Sequence, residues 1–340
     1  MAIKIVVVGM GPRGHDWVRE VQTTSGYELV ACVDIDQTPL TQASSRSASP
    51  NQCFTELSEA LDQNKCDAVI VATSPGSHVE PCREALARGL AVLVEKPFTL
   101  SLSQATKLVS LAEQKGAPLL VAQNYRYMRS FRTAHRLISE GALGRVGMIV
   151  CQYYRVPHSM SASLARLPNS VLWGIGIHHL DALRYILNKR VTGVLAESFT
   201  ATWGTLPRGG SMQMMLSFED DIRALYSATY ESSGHEFFEH GQEFYVRFVG
   251  EHATLHVFQR WLLLCEKGKL PRIVRRGPRK ISEEQVLLDQ LERALINGEA
   301  PASSGRDNLQ TMAMAEAFQE GRTTPRSWTV CPRAVWKESG

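Results

Sequence analysis

Residues 91–98, Ala-Val-Leu-Val-Glu-Lys-Pro-Phe, put an amine where an α/β fold does chemistry. Ala91 to Val94 read as a short buried parallel strand running straight into Glu95, Lys96 and Pro97. The carboxyl end of such a strand is where open α/β sheets bind ligands. Pro97 fixes φ and lacks an N–H, so Lys96 cannot drift into a following helix. A partly desolvated ammonium there can hydrogen-bond a substrate oxygen and help move a proton; the alternative is a solvated turn lysine beside a glutamate. A second stretch, Gly174-Ile-Gly-Ile-His-His-Leu-Asp181, leads into a helix. His178, Asp181 and Tyr185 are spaced by three and four, so they share one helix face, and an imidazole with a carboxylate on one face suits proton transfer. The alternative for His178 is a buried helix histidine satisfied by hydrogen bonds; His179 points elsewhere and reads as structural. A third stretch is Gly9-Met10-Gly11-Pro12-Arg13-Gly14, a Gly-x-Gly-x-x-Gly pattern whose first glycine permits a tight turn, whose second lets backbone approach a pyrophosphate, and whose third lets helix and strand pack closely.

The elements that must position these residues follow from periodicity. Ile3 to Val8 is a β-branched strand before the glycines, and a helix follows from about His15 to Val21. Glu28 to Val33 is a second strand ending in Asp34, 20 residues beyond Gly14, where such folds place an acid on the adenine ribose. Asp34 would accept hydroxyl hydrogen bonds and repel a 2′-phosphate, which favours NAD; Arg13 could instead greet that phosphate, so NADP stays open. Strands follow at 67–72, 91–94 and 118–122, with helices from Ser77, a plausible N-cap, to about Arg88 and from Ser101 to Lys115. Thr73, Ser74, Pro75 and His78 turn the third strand into its helix beside the expected cofactor, although His78 reads equally as a first-turn helix residue. Gln123-Asn124-Tyr125-Arg126-Tyr127 ends the fifth strand at the same rim. Repeated β-α alternation with short loops predicts a doubly wound parallel sheet.

The pattern changes after a helix near 130–140 and the break Gly141-Ala-Leu-Gly144. Strands at 146–155, 191–203, 211–218, 221–231, 243–249 and 252–265 are longer and look antiparallel, with turns at Asp220-Asp221 and Gly250-Glu251. They predict one open sheet with helices against one face and the other face free to pair with a second subunit. Helices return at 282–296, with a capped start at Ser282, and at 305–319; the basic run from Lys267 to Lys280 reads as a solvated loop. The expected domains are residues 1–123 for nucleotide and 124–340 for substrate and oligomerisation, the last helices packing back on the first.

Composition excludes several classes. The 340 residues are 44% hydrophobic and 21% charged, which predicts a soluble globular protein of two domains. A formal net charge of +3 makes nucleic acid an unfavoured partner. Seven scattered cysteines without a Cys-x-x-Cys predict free thiols in a reducing compartment and no zinc site. No apolar run approaches the roughly 20 residues of a membrane helix, and Ile3 to Val8 reads as strand and not as a leader, so the cytoplasm is the expected location and no membrane is expected.

On the fingerprint at 9–14, the loop 73–78, Glu95-Lys96-Pro97, Gly-Ala-Leu-Gly-Arg-Val at 141–146 and Gly176-Ile177-His178 with Asp181, nearly the whole chain resembles the Gfo/Idh/MocA oxidoreductases. The resemblance implies an N-terminal Rossmann domain plus an α+β C-terminal domain with a large, mostly antiparallel open sheet that builds homodimers or homotetramers. It implies NAD or NADP held by residues 9–14, Asp34, Thr73, Ser74, Pro75, His78, Glu95, Lys96 and Asn124, and no metal. It implies that Lys96 binds the reacting oxygen, that His178 takes the hydroxyl proton, and that Asp181 lines the substrate or orients the histidine. Arg126, Tyr127, Tyr153, Tyr154 and His158 are candidate substrate contacts. Many members carry an aspartate four residues before the histidine, where this chain has Gly174. The implied activity is hydride transfer between nicotinamide and a secondary alcohol or ketone of a sugar, sugar derivative or cyclic polyol. A glycoside-cleaving enzyme on the same scaffold and a non-catalytic cofactor-binding regulator are the rival readings.

Overall fold

The structure is a computed structural model that describes residues 2–38, 40–41, 52–155, 162–206, 209–232, 242–277 and 281–321. The chain divides into two compact units: Met1–Asn124 with Ile281–Met312, and Tyr125–Lys280 with Ala313–Gly340.

The first unit is built on six strands, β1 (Ile3–Val8), β2 (Tyr27–Val33), β3 (Cys53–Phe54), β4 (Ala68–Val71), β5 (Ala91–Val94) and β6 (Leu119–Val121). They lie in the order β3-β2-β1-β4-β5-β6, every pairing parallel. Strand order reverses at β1/β4, which puts the turn after β1 and the loop after β4 side by side. β4 and β5 are buried along their whole length, so they read as unbroken apolar runs. Helices Pro12–Thr23, Val79–Ala87 and Leu102–Lys115 form between the strands, each burying one apolar stripe. The N-cap reading of Ser77 is corrected: Pro75–Ser77 is a 3-10 turn, the helix starts at Val79, and Ser77 Oγ instead meets Ser74 Oγ at 3.1 Å. Glu283–Asn297 starts with the expected capping box, Ser282 taking the Gln285 N–H while Gln285 returns to the Ser282 N–H. Ser304 then bridges antiparallel to Leu120 beside β6.

The second unit carries eight strands: β7 (Val146–Arg155), β8 (Val191–Phe199), β9 (Ser211–Phe218), β10 (Arg223–Thr229), β11 (Gln242–Gly250), β12 (Ala253–Phe258), β13 (Leu262–Glu266) and β14 (Arg272–Val274). Their order is β14-β13-β12-β11-β7-β10-β9-β8, antiparallel except for the parallel β7/β10 pair. The 252–265 reading is corrected to two strands, and the basic run contains β14. Asp220 and Asp221 both take the left-handed conformation, φ 58° and 59°, that a two-residue hairpin requires. β9, β10 and β12 alternate buried and open positions, so one face is core and the other is not. The open face shows Met148, Met215 and Leu225, each 42–55% exposed, and Met215 and Leu225 line a depression of about 1090 Å³. Before the helix Ile177–Leu187 the chain makes a π-helical turn, Leu172–Gly176, so the ordered segment begins earlier than the periodicity suggests.

Among the described residues no helix is long and apolar enough to cross a membrane, no group of His, Cys, Asp and Glu could hold a metal ion, and Cys32, Cys53, Cys66, Cys82, Cys151 and Cys265 are free thiols.

Candidate functional site

The nucleotide end of the first unit is made of backbone. Gly9 has φ +91°, and a Cβ on it would lie 2.6 Å from the Thr73 N, so the turn after β1 presses directly on the loop after β4. A Cβ on Gly14 would lie 1.8 Å from the Gly9 carbonyl oxygen. Gly11 differs: a Cβ there would meet nothing within 4 Å. Gly11 is also the N-cap of Pro12–Thr23, whose first turn holds no side-chain cap and no acid. Uncapped N–H groups facing open space are what a pyrophosphate needs. Asp34 sits just past β2, where its carboxylate accepts the Met10 N–H at 2.6 Å and the Asp36 N–H at 2.9 Å, so its position is set by the glycine turn. Three buried polar groups around the same rim lack protein partners: Thr73 Oγ1, the Gln123 amide and Asn124 Oδ1. Buried polar atoms left unmatched by the protein are where a bound polar ligand is expected. The residues present therefore fit a dinucleotide.

Arg13 has another part than greeting a 2′-phosphate. Its guanidinium is taken up by Glu95 Oε1 (2.7 Å), Glu284 Oε1 (3.1 Å) and Asp16 Oδ2 (3.3 Å). Burial works against its charge, and Glu95 and Glu284 more than offset that, holding its pKa above the ordinary value. Glu95, 5% exposed, also accepts the Trp17 Nε1–H at 2.9 Å, so it braces the first helix against the end of β5 instead of facing a ligand. His78 is fully buried, its ring nitrogens against the Pro97 carbonyl (2.8 Å) and the Thr73 carbonyl (3.1 Å), which ties the loop after β4 to the turn after β5 and leaves no ring atom for cofactor. Lys96 stays partly exposed, yet the protein around it strips enough water to push its amine down; Glu95 opposes that shift and Arg13 adds to it.

In the second unit His178 is 5% exposed and stacks on Tyr125, ring centroids 4.0 Å apart at 18°. Its neighbour His179 packs inward: Nδ1 lies 2.7 Å from the Tyr226 hydroxyl, and burial drives its pKa to about 3. Asp181 and Arg126 are spent on each other. Both carboxylate oxygens take guanidinium N–H groups, Arg126 Nη2 to Oδ1 at 2.6 Å and Nε to Oδ2, with the Arg184 Nη1 3.7 Å away. The pair is 1% and 5% exposed, so the readings of Arg126 as a substrate contact and Asp181 as a catalytic or substrate-lining acid give way to a buried structural ion pair. Tyr127, 9% exposed, packs edge-on to Tyr185 in the core. Tyr154 is corrected by strand parity. Successive residues of β7 face opposite ways, and Tyr154 meets Ser227 Oγ at 3.4 Å among the residues lining the outward depression. Tyr153 takes the inner face, 5.2 Å from His179. His158 lies outside the described residues.

Sequence reasoning also missed two groups of this unit. A Cβ on Gly174, one turn earlier, would lie 2.4 Å from the Tyr230 hydroxyl, so a phenol fills the place of a side chain there. Arg155, two residues beyond Tyr153, shares its face and hydrogen-bonds its hydroxyl. Neither had a local signal; the parity of the 146–155 strand could have paired Tyr153 with Arg155.

Comparisons with known proteins agree with the two-unit fold. The profile described as an oxidoreductase family with an NAD-binding Rossmann fold matches residues 3–123, and that of the GFO/IDH/MocA C-terminal domain matches 131–256. D-apiose dehydrogenase of Paraburkholderia graminis is 25% identical over 347 residues, 94% of this chain and 88% of that protein. Two solved structures share the fold. An oxidoreductase from Agrobacterium radiobacter in complex with NAD+, L-tartaric acid and magnesium has TM-score 0.87 and 22% identity, covering 97% of this chain and 99% of that one. An inositol dehydrogenase homolog from Azotobacter vinelandii complexed with NADH and myo-inositol has TM-score 0.82 and 20% identity, covering 97% and 98%. With both of its halves matched by the family's own domains, an NAD-binding Rossmann unit first and the C-terminal domain second, the chain belongs to the Gfo/Idh/MocA oxidoreductase family.

Proposed function

We propose that this protein is an NAD-dependent dehydrogenase that oxidises a secondary alcohol of a sugar-like or polyol substrate, or reduces the matching ketone. NAD supplies the hydride acceptor when bound. The chain supplies the rest: Gly9 to Gly14 and Asp34 hold the dinucleotide, Lys96 polarises the reacting oxygen, and His178 accepts the hydroxyl proton. The observation that carries the reading is the state of Lys96. An amine pushed below its ordinary pKa stands at the carboxyl end of a buried strand, in the same unit as a glycine turn open at Gly11. Asp34 and the carboxylate-bound Arg13 both favour NAD over NADP. D-apiose dehydrogenase and the inositol dehydrogenase homolog support the substrate class. The apolar outward sheet face supports a homo-oligomer, which sedimentation equilibrium tests through its mass. Residues 1–123 serve as the nucleotide domain, joined by the helix Glu283–Asn297, and the rest of 124–340 as the substrate and oligomerisation domain of a cytoplasmic enzyme.

The test follows NADH absorbance with a panel of sugars, sugar acids and inositols. Lys96→Ala and His178→Ala should each lower kcat by about 10²–10⁴, the range of a positioned acid–base group, while His178→Ala keeps NAD affinity. Normal turnover in both variants would overturn the assigned roles.

A further inference from the structure

Arg155 differs from Arg13 and Arg126: among the described residues it meets no carboxylate. Arg13 has Glu95, Glu284 and Asp16; Arg126 has Asp181. Arg155, the last residue of β7, has phenols. It hydrogen-bonds the Tyr153 hydroxyl, and Tyr125 and Tyr230 lie within its electrostatic reach. Burial raises all three phenols, Tyr125 to about 12, so they stay neutral and offer Arg155 no counter-charge. Arg155 Nε is buried without a hydrogen-bond partner. Leaving a desolvated guanidinium unmatched is costly, and an arriving anion would recover that cost.

The same phenols tie Arg155 to His178. Tyr125 is the ring on which His178 stacks, at 4.0 Å. Tyr153 stands edge-on to Tyr230, centroids 6.2 Å apart, and the Tyr230 hydroxyl packs on Gly174 one turn before His178. A proton acceptor and a cation that meets no carboxylate among the described residues thus share one wall of tyrosines inside the second unit.

We propose that Arg155 anchors a carboxylate on the substrate, so that the molecule oxidised beside His178 is a sugar acid or polyol acid and not its neutral counterpart. The inference rests on the dehydrogenase reading for the identity of the reaction. Guanidinium is planar and forked and matches a carboxylate in two-pronged fashion. One guanidinium balances one negative charge, which favours a carboxylate over a phosphate monoester. The alcohol to be oxidised then lies elsewhere on the same carbon chain, within reach of His178.

Calorimetry on the full-length protein, with and without NAD, would compare glucuronate, galacturonate and gluconate with glucose, galactose and glucitol; a hexose phosphate is the phosphate arm. Turnover is followed in parallel, and the melting temperature of each variant is checked. At least one acid should bind about tenfold or more tightly than its neutral partner. Arg155→Gln should erase that preference through a 10- to 100-fold loss on the acid, the scale of a charge-assisted pair. Arg155→Lys, which keeps the charge without the fork, should retain part of it. The proposal fails if no acid binds, if acids and neutrals bind alike, if the hexose phosphate is preferred, or if Arg155→Gln weakens both partners by one factor. Acid binding that depends on Arg155 without any NADH formed would uphold the anchor and remove the dehydrogenase reading.

Discussion

The rim of the parallel sheet and the tyrosine wall beside His178 solve opposite problems. At the rim the ligand-facing surface is backbone: Gly11 opens a space, Gly9 and Gly14 let elements touch, and Asp34 is pinned by the Met10 N–H. The charges nearby are closed into networks, Arg13 with Glu95 and Glu284. At the wall, side chains make the surface, and a cation there is met by phenols. A rim of amides and balanced charge suits a dinucleotide that many proteins share. A wall of side chains, with a cation that meets no carboxylate among the described residues, suits selection among small substrates. Neighbouring groups sharpen the contrast: Arg126 and Arg155 lie in one unit, one paired with Asp181 and the other meeting no carboxylate among the described residues, and His178 and His179 are adjacent, one stacked on Tyr125 and one sealed against Tyr226.

The largest expected effect comes from breaking the closed pair. Asp181→Asn removes the carboxylate charge that the buried Arg126 and Arg184 face and should cost about 3–5 kcal/mol in denaturant unfolding. A mutant as stable as the parent would mean that Asp181 serves the site and not the scaffold. Next, Gly14→Ala drives a Cβ into the Gly9 carbonyl and should cost about 1–3 kcal/mol, with NAD affinity falling as the turn is displaced. Unchanged NAD titration would show that the turn is softer than its contacts suggest. At neutral pH the smallest effect is that of His179, which shows only as a pH dependence in acid. The folded pKa of His179, about 3, lies below its ordinary 6.5, so between those values the unfolded chain binds a proton that the folded chain refuses. Stability should fall as pH drops through that window, by at most about 1.4 kcal/mol per unit, and be indifferent to this group above it. His179→Asn should flatten the slope of unfolding free energy between pH 4 and 6; an unaltered slope would assign the acid sensitivity to other groups.

The first unit was legible in the sequence to within a residue or two at most strand ends, because βα alternation and the glycine turn are local patterns. What escaped there was short: β3 spans two residues, and the helix Leu57–Gln63 has barely two turns to display a period. In the second unit the strands were visible, but the parallel β7/β10 pair was not, since pairing partners lie some 75 residues apart (Met148 with Arg223). The candidate site divides the same way. Lys96 at its strand end and His178 on its helix could be named from spacing alone, whereas the partners of Arg13, Arg126 and Asp181 could not.

By itself, then, the sequence determined the two sheets, the nucleotide turn and the lysine and histidine offered for chemistry, since each depends on neighbours within one strand, turn or helix. Tertiary structure decided which charges are cancelled and which remain: that Asp181 belongs to Arg126, that Tyr154 faces outward while Tyr153 and Arg155 face in, and that Tyr230 fills the space over Gly174. The physical reason is that charge and shape at a point are summed over every segment that reaches it, and a residue 55 positions away in the chain, as Asp181 is from Arg126, can be the one that matters.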